Sequence, residues 1–220
     1  EAISNIKLAA AQTNMELGLL EEKLGTAIVE AATEVAGGKF DAQFVVDIFQ
    51  TGSGTSTNMN ANEVISNRSI ELLGGELGSR TPVHPNDHVN TGQSSNDVIP
   101  TAIHVAAAKS IKVNLIPSLV QLKKSLETKS EEFMPIIKTG RTHLQDATPV
   151  RLGQEFEGHA GQIERGIQRC EQALIELSEV ALGGTAVGTG VNTHPEFAKK
   201  VCEKISTALD IDIHETNNHF

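Results

Sequence analysis

From Phe156 to Ala181 the residues Phe156, Ala160, Ile163, Ile167, Cys170, Leu174, Leu177 and Ala181 recur at alternating spacings of four and three. A strand, with its side-chain period of two, cannot present them on one face; an α-helix lines all eight along a single seam. So narrow and long a seam has to be covered by other helices lying alongside at a shallow angle. This one segment therefore commits the chain to a helical bundle.

The remaining apolar pattern agrees. Ile3, Ile6, Ala10 and Leu17 mark one stripe, and Leu20, Leu24, Ala27, Ile28, Ala31 and Val35 mark a second that stops at Gly37-Gly38. A third helix is expected between Asn60 and Leu73, ended by Gly74-Gly75. The longest pattern runs from about Asp97, with Pro100 in its first turn, into the 130s. Ile103, Ala107, Ile111, Leu115, Leu119, Leu122, Leu126 and Phe133 share its apolar face, and Pro117 is expected to kink it. Thr193 and Glu196 match a capping box with Pro195 near the first turn, announcing a last helix with Phe197, Val201, Ile205 and Leu209 on one side. No run of alternating strands is found. Aromatic residues are 3% of the chain, with neither Trp nor Tyr, which disfavours a β-sandwich or barrel core and leaves no platform for stacking bases. The expected class is all-α: a smaller helical region over residues 1–92, then a long-helix bundle over 93–220.

At 220 residues and 39% hydrophobic content the chain can bury a sizeable core, as one domain or two. A net charge of −10 with no basic block argues against general affinity for nucleic acid or an anionic membrane, which leaves small molecules and other subunits as partners. The two cysteines, Cys170 and Cys202, suggest no disulfide, and Cys170 falls on the apolar seam. Without a membrane-length apolar run or a secretory leader the chain reads as soluble and cytoplasmic. Because it starts at Glu1, a lost leader would admit the mitochondrial matrix instead.

Three polar strings stand out against this apolar background: GSGTSTNMN at 52–60, HPNDHVNTGQSSND at 84–97 and GRTHLQDATP at 140–149. All are read as non-helical sequence rich in uncharged donors, and together they suggest one composite site. Ser94, Ser95 and Asn96 directly precede the long helix, where unpaired N–H groups and the dipole favour a carboxylate; an ordinary helix cap would use the same residue types. In the first string the glycines allow close approach to a ligand while Ser53, Thr55, Thr57 and Asn58 offer short donors; a plain polar loop would look similar. In the third, placed where one helix has ended and another has yet to begin, His143 can exchange protons near neutral pH and Thr142 can hold a substrate oxygen. His84 and His88 are four apart, but Pro85 and the Asn86-Asp87 turn argue against the helix that would pair them, so metal binding has little support. LGGTAVGTG at 182–190 follows a helix rather than a strand, which removes the dinucleotide-loop reading.

Together GSGTSTNMNANEVI, VHPNDHVNTGQSSND, GRTHLQDATPVRLGQEF and LGGTAVGTGVNTHPEFAKKV closely resemble the class II fumarases of the fumarase/aspartase superfamily, in order and spacing. Aspartate ammonia-lyases share the scaffold but usually carry Gln where this chain has His143, Asn at His84 and Thr at Ser95. The resemblance implies reversible hydration of fumarate to malate. It assigns Ser53, Gly54, Thr55, Ser94, Ser95, Asn96 and Thr142 to substrate binding, His143 to proton transfer, and His84, Pro85, Asn86 and Asp87 to a second dicarboxylate site. It further implies no metal or organic cofactor, and a homotetramer whose active sites are shared between subunits. The family's Gly-Ser-Ser catalytic loop corresponds to sequence beyond Phe220, so these residues resemble a fragment, inactive by itself. Ammonia release from aspartate and a catalytically silent helical module are the alternatives.

Overall fold

A computed structural model describes residues 1–220. Helices dominate it: α1 (Ala2–Glu16), α2 (Glu22–Ala36), α3 (Thr55–Leu72), α4 (Ser95–Ser110), α5 (Ile116–Phe133), α6 (Leu152–Ser178) and α7 (Phe197–Leu209). Four short strands accompany them: β1 (Ile137–Thr142), β2 (Gln145–Arg151), β3 (Glu179–Val180) and β4 (His214–Glu215). The residues group into two compact units, one of Glu1–Ala108 with Leu177–Phe220 and one of Lys109–Glu176.

In the first unit, Ala11, Leu20, Ile28, Ala31, Ala32, Val35, Ile65, Ile70, Val83 and Val89 form a continuous core between α1, α2, α3 and the turn after Val83. The small residues of α1 and α2 let the helix backbones approach closely, and Ile28 and Ile65 fill the remaining space. Helix α7 buries Phe197, Ala198, Val201, Cys202 and Ile205 and packs on α1. As a result α1 is enclosed on several sides, and its buried positions include Lys7, Thr13 and Asn14 alongside Ile6 and Ala10. β3 and β4 form a two-residue parallel ladder, with Glu179 opposite His214.

Helix α3 starts at Thr55, about a turn and a half earlier than its apolar pattern suggests. Gly54, at φ +67°, ends the preceding loop in the left-handed region where a side chain is strained, and this lets residues 55–60 coil. Most of the string at 52–60 is therefore helical, against its reading as non-helical sequence. Helix α4 turns Val98, Thr101, Ala102, Val105 and Ala108 inward and leaves Ile103 61% exposed, so the apolar stripe through Ile103 is not the face this unit buries. Pro100 lies in the second turn of α4, one turn later than expected. The last helix also departs from expectation: Thr193 makes no capping bond and its hydroxyl is buried without a partner. The His194 ring instead accepts the Glu196 N–H at 3.2 Å, and the helix begins at Phe197.

In the second unit α5 and α6 run antiparallel, joined by a β-hairpin. Ser130 Oγ donates to the Gly153 carbonyl at 2.8 Å, Lys123 pairs with Glu164, and the Phe133 and Phe156 rings meet edge to face with centroids 5.1 Å apart. A Cβ on Gly153 would fall 2.4 Å from the Ser130 carbonyl oxygen, so glycine is what allows this contact. Pro117 sits at the start of α5, and its missing donor is accommodated by a wider π-helical turn over Ile111–Leu115. Along the heptad seam Ala160 and Ile167 are buried, whereas Phe156, Ile163, Cys170 and Leu174 are only half-buried. Cys170 and Cys202 are both free thiols.

The donor-rich segment between the two helices, read only as non-helical, is a β-hairpin. Ile137 pairs with Arg151 and Thr142 with Gln145, with an irregularity at Gly140. His143 and Leu144, at φ +51° and +62°, are the two left-handed turn residues that match the twist of a two-residue hairpin. Its sequence lacks the Asn-Gly or Asp-Gly pair that normally signals such a turn.

Candidate active site

Two helix starts meet in the first unit. Gly54, before α3, packs against the Ile99 side chain of α4 so closely that an added Cβ would sit 3.0 Å from it. One turn into α3, Asn58 Nδ2 donates to Ser95 Oγ, the first residue of α4, at 2.9 Å. The N–H groups of both helix starts have no intrahelical acceptor, and the dipoles of both helices place partial positive charge there. Ser53 and Thr55 share a hydroxyl contact of 3.4 Å, and Ser53 another of 3.1 Å with Thr51. Ser94 Oγ accepts the Asn96 N–H at 3.3 Å, while Asn96 Nδ2 donates to the Ala186 carbonyl at 2.8 Å. Ser53, Gly54, Thr55, Ser94, Ser95 and Asn96 thus belong to one donor-rich corner held between α3, α4 and the glycine loop at 182–190.

The turn bearing Ser94 to Asn96 is fixed from behind by two buried ionisable side chains. Asp97, 2% exposed, accepts the Ser94 N–H at 2.9 Å on Oδ1 and the Gly183 and Thr185 N–H groups at 3.2 and 2.9 Å on Oδ2. Burial raises its carboxyl above the ordinary value, against the pull of those three N–H donors and of the Lys7 charge. Lys7 is wholly buried, and its Nζ donates to Asn90 Oδ1 at 2.7 Å and Gln93 Oε1 at 2.9 Å. Burial brings its ammonium down to about 7, with the charge of Asp97 opposing.

Lys7, Asn90, Gln93 and Asp97 were not among the residues singled out by sequence. Lys7 did carry a signal: with Ala11 and Asn14 it occupies positions i, i+4 and i+7 of a helix whose neighbours there are alanines, and a lysine on such a face needs an acceptor. Asn90, Gln93 and Asp97 resemble any polar turn until their partners are known.

His84, Pro85, Asn86 and Asp87 occupy a separate feature, a π-helical turn over Pro85–Val89. His88 Nδ1 accepts the His84 backbone N–H at 2.8 Å, so the two residues meet backbone to ring and not ring to ring. Pro85 serves as the first residue of this turn, where its missing donor costs nothing. His84 Nδ1 accepts the Asn86 and Asp87 N–H groups at 3.3 and 3.1 Å, which caps the turn. The same nitrogen lies 3.3 Å from Asp87 Oδ2. No group of three or more His, Cys, Asp or Glu side chains is placed to hold a metal ion.

Thr142 and His143 lie in the second unit, at the tip of the β-hairpin, and both are exposed. Thr142 ends β1, and the left-handed φ of His143 turns the backbone between the strands.

Residues 1–219 match the sequence profile of the lyase family. The chain belongs to that family. Within it the likeness is to class II fumarases: the class II fumarate hydratase of Halobacterium salinarum is 58% identical over 219 residues, covering 100% of this chain and 46% of the relative. The mitochondrial fumarate hydratase of Saccharomyces cerevisiae is 55% identical over 219 residues, covering 100% of this chain and 45% of the relative. Among solved structures, class II fumarase from Schistosoma mansoni superposes with a TM-score of 0.96 at 42% identity, covering 100% of this chain and 49% of that one. Fumarate lyase:delta crystallin from Brucella melitensis bound to cobalt gives 0.93 at 43%, covering 99% and 47%. The chain spans about half the length of the curated relatives it matches. The all-α fold is that of these lyases, and no helix is long and apolar enough to cross a membrane.

Proposed function

We propose that the complete protein is a fumarate hydratase that interconverts fumarate and (S)-malate. The observation that carries this reading is the junction of α3 and α4, where the Asn58 amide donates into Ser95 Oγ and leaves the serine hydrogen free to point outward beside two helix starts. Such a corner suits a small dianion, because an acidic protein has to attract it with local dipoles rather than with its overall field.

The chemistry asks for the same features. In the malate direction a proton leaves the carbon next to a carboxylate, and its electron pair moves onto that carboxylate as an aci-anion. The pair then returns to form the double bond as the carbon–oxygen bond breaks, and the departing hydroxide takes up a proton to become water. Fixed N–H and O–H donors around the more highly charged carboxylate stabilise the intermediate over the ground state. In this reading Ser53, Gly54, Thr55, Ser94, Ser95, Asn96 and Thr142 hold substrate and His143 transfers a proton. His84, Pro85, Asn86 and Asp87 form a second dicarboxylate site. Activity requires no metal or organic cofactor.

The working form is a homotetramer in which separate chains contribute to each site, and residues 93–220 are its bundle-forming part. The half-buried seam of α6, the exposure of Val120 and Leu122 along α5 and that of Val113 in the turn before it support this, since two helices alone leave that apolar surface in water. The cytoplasm or the mitochondrial matrix is the proposed location.

The test offers the complete protein fumarate, or aspartate, and follows the ultraviolet band of fumarate. Loss of the band with malate formation is expected, and deamination of aspartate without hydration would overturn the assignment. His143→Asn should slow turnover at least a hundredfold while leaving the melting temperature nearly unchanged. Unaltered turnover would remove His143 from the chemistry.

A further inference from the structure

We propose that Lys7 is a positioning residue that fixes the hydrogen-bond polarity of the Ser95 hydroxyl, through a buried relay of two asparagines. This rests on the hydratase reading for its consequence and on side-chain geometry for its substance.

Charged or neutral, the Lys7 Nζ keeps at least two hydrogens, and both amides turn their oxygens toward it because their nitrogens are engaged by backbone carbonyls, which only accept. The Asn90 atom 2.7 Å from Nζ is therefore Oδ1, and the Gln93 atom at 2.9 Å is Oε1. The other halves of both amides agree: Asn90 Nδ2 donates to the Gln93 carbonyl at 3.2 Å, and Gln93 Nε2 to the Val89 and Thr91 carbonyls at 3.1 and 3.2 Å. With Asn90 Oδ1 fixed as an acceptor, the Asn58 atom facing it at 3.4 Å has to be Nδ2. That same Nδ2 lies 2.9 Å from Ser95 Oγ, so Ser95 accepts from Asn58 and its own hydrogen is directed elsewhere.

The sequence of donors is thus Lys7 to Asn90, Asn58 to both Asn90 and Ser95, and Ser95 outward. Were Asn58 to flip, its oxygen would face Ser95 and draw the hydroxyl hydrogen inward, and the serine would present a lone pair to an anion. Lys7 and Asn58 are buried, so bulk water cannot restore the order once it is lost.

The experiment is a double-mutant cycle in the complete protein with Lys7→Met, which keeps an unbranched stem one atom shorter and removes the donors, and Ser95→Ala. With Ser95 gripping the carboxylate that gains no charge in the reaction, Lys7→Met is expected to raise KM for fumarate about tenfold while kcat changes less than twofold, since that group is held equally in ground and transition states. In the Ser95→Ala background the same change should alter kcat/KM less than twofold. An unchanged KM in Lys7→Met, or an equal loss in both backgrounds, would overturn the relay. If Lys7→Met does not fold, Asn58→Ala cuts the relay one bond nearer Ser95 and has to show the same dependence on Ser95.

A wild-type protein without hydratase activity would sink the function and leave the relay testable. A neutron structure of the Lys7→Met protein, which distinguishes amide nitrogen from oxygen and shows the hydroxyl deuterium, would then show whether the hydrogen-bond order about Ser95 is lost, as expected, or retained, which would refute it.

Discussion

Replacing Asp97 tests whether the donor corner is held by the glycine loop behind it. The carboxylate receives three N–H groups, from Ser94 on one oxygen and from Gly183 and Thr185 on the other. Asp97→Ala leaves all three without an acceptor. Those of Gly183 and Thr185 lie in buried bonds, and each orphaned donor there costs about 1–3 kcal/mol, while water can reach Ser94. The expected loss is about 4 kcal/mol. Asp97→Asn can keep its single oxygen on the Gly183 and Thr185 side and turn its amide toward Ser94, losing one bond while escaping the burial of a charge, so about 1 kcal/mol is expected. Amide hydrogen exchange in the complete protein reads this directly. Protection of Gly183 and Thr185 should fall roughly a thousandfold in the alanine variant and no more than about tenfold in the asparagine variant. Because Asn96 is tied to Ala186 in the same loop, substrate affinity should weaken in the same order. Protection retained in Asp97→Ala would refute the reasoning, as would an asparagine variant harmed as much as the alanine one.

Two further outcomes follow from packing and charge. Gly153→Ala adds a methyl group 2.4 Å from the Ser130 carbonyl oxygen and 2.7 Å from the Met134 nitrogen. The roughly 1 kcal/mol that alanine gains in helix propensity should be outweighed, for a net loss on the order of 2 kcal/mol in denaturant unfolding; a gain in stability would refute the contact. Arg68, and after it Lys39, hold the Glu34 carboxyl down to about 2. A folded-state value below the unfolded one gives stability that is present above about 4.5 and is lost as pH falls toward 2. The stability difference between wild type and Glu34→Gln should therefore vanish between those limits, and a difference that persists at pH 2 would exclude the pairing as its cause.

Much of the helical framework could be read from spacing alone. The glycine pairs at 37–38 and 74–75 stop α2 and α3 where expected, because a chain leaving a helix through left-handed backbone needs glycine, and both Gly38 and Gly74 adopt it. The β-hairpin escaped notice because its turn consists of His143 and Leu144, neither a typical left-handed residue, and because its strands are exposed and have no apolar alternation to betray them. The capping box failed for a comparable reason. Thr193 and Glu196 have the right spacing, but packing places the Thr193 hydroxyl inside and lets the His194 ring cap instead.

The donor types of the candidate site were legible as three polar strings, since short hydroxyls, amides and glycines declare what they can bind wherever they lie. Their connection was not. Lys7 and Asn90 are separated by 83 positions, and Asp97 and Gly183 by 86. The sequence by itself determined that this is a bundle of helices interrupted by donor-rich turns, because side-chain period and donor chemistry are local properties. Only the tertiary structure decided that a buried lysine and a buried aspartate brace the start of α4 from behind. The cost of burying a charge depends on acceptors and donors brought in from distant segments, and these become neighbours only when the chain packs.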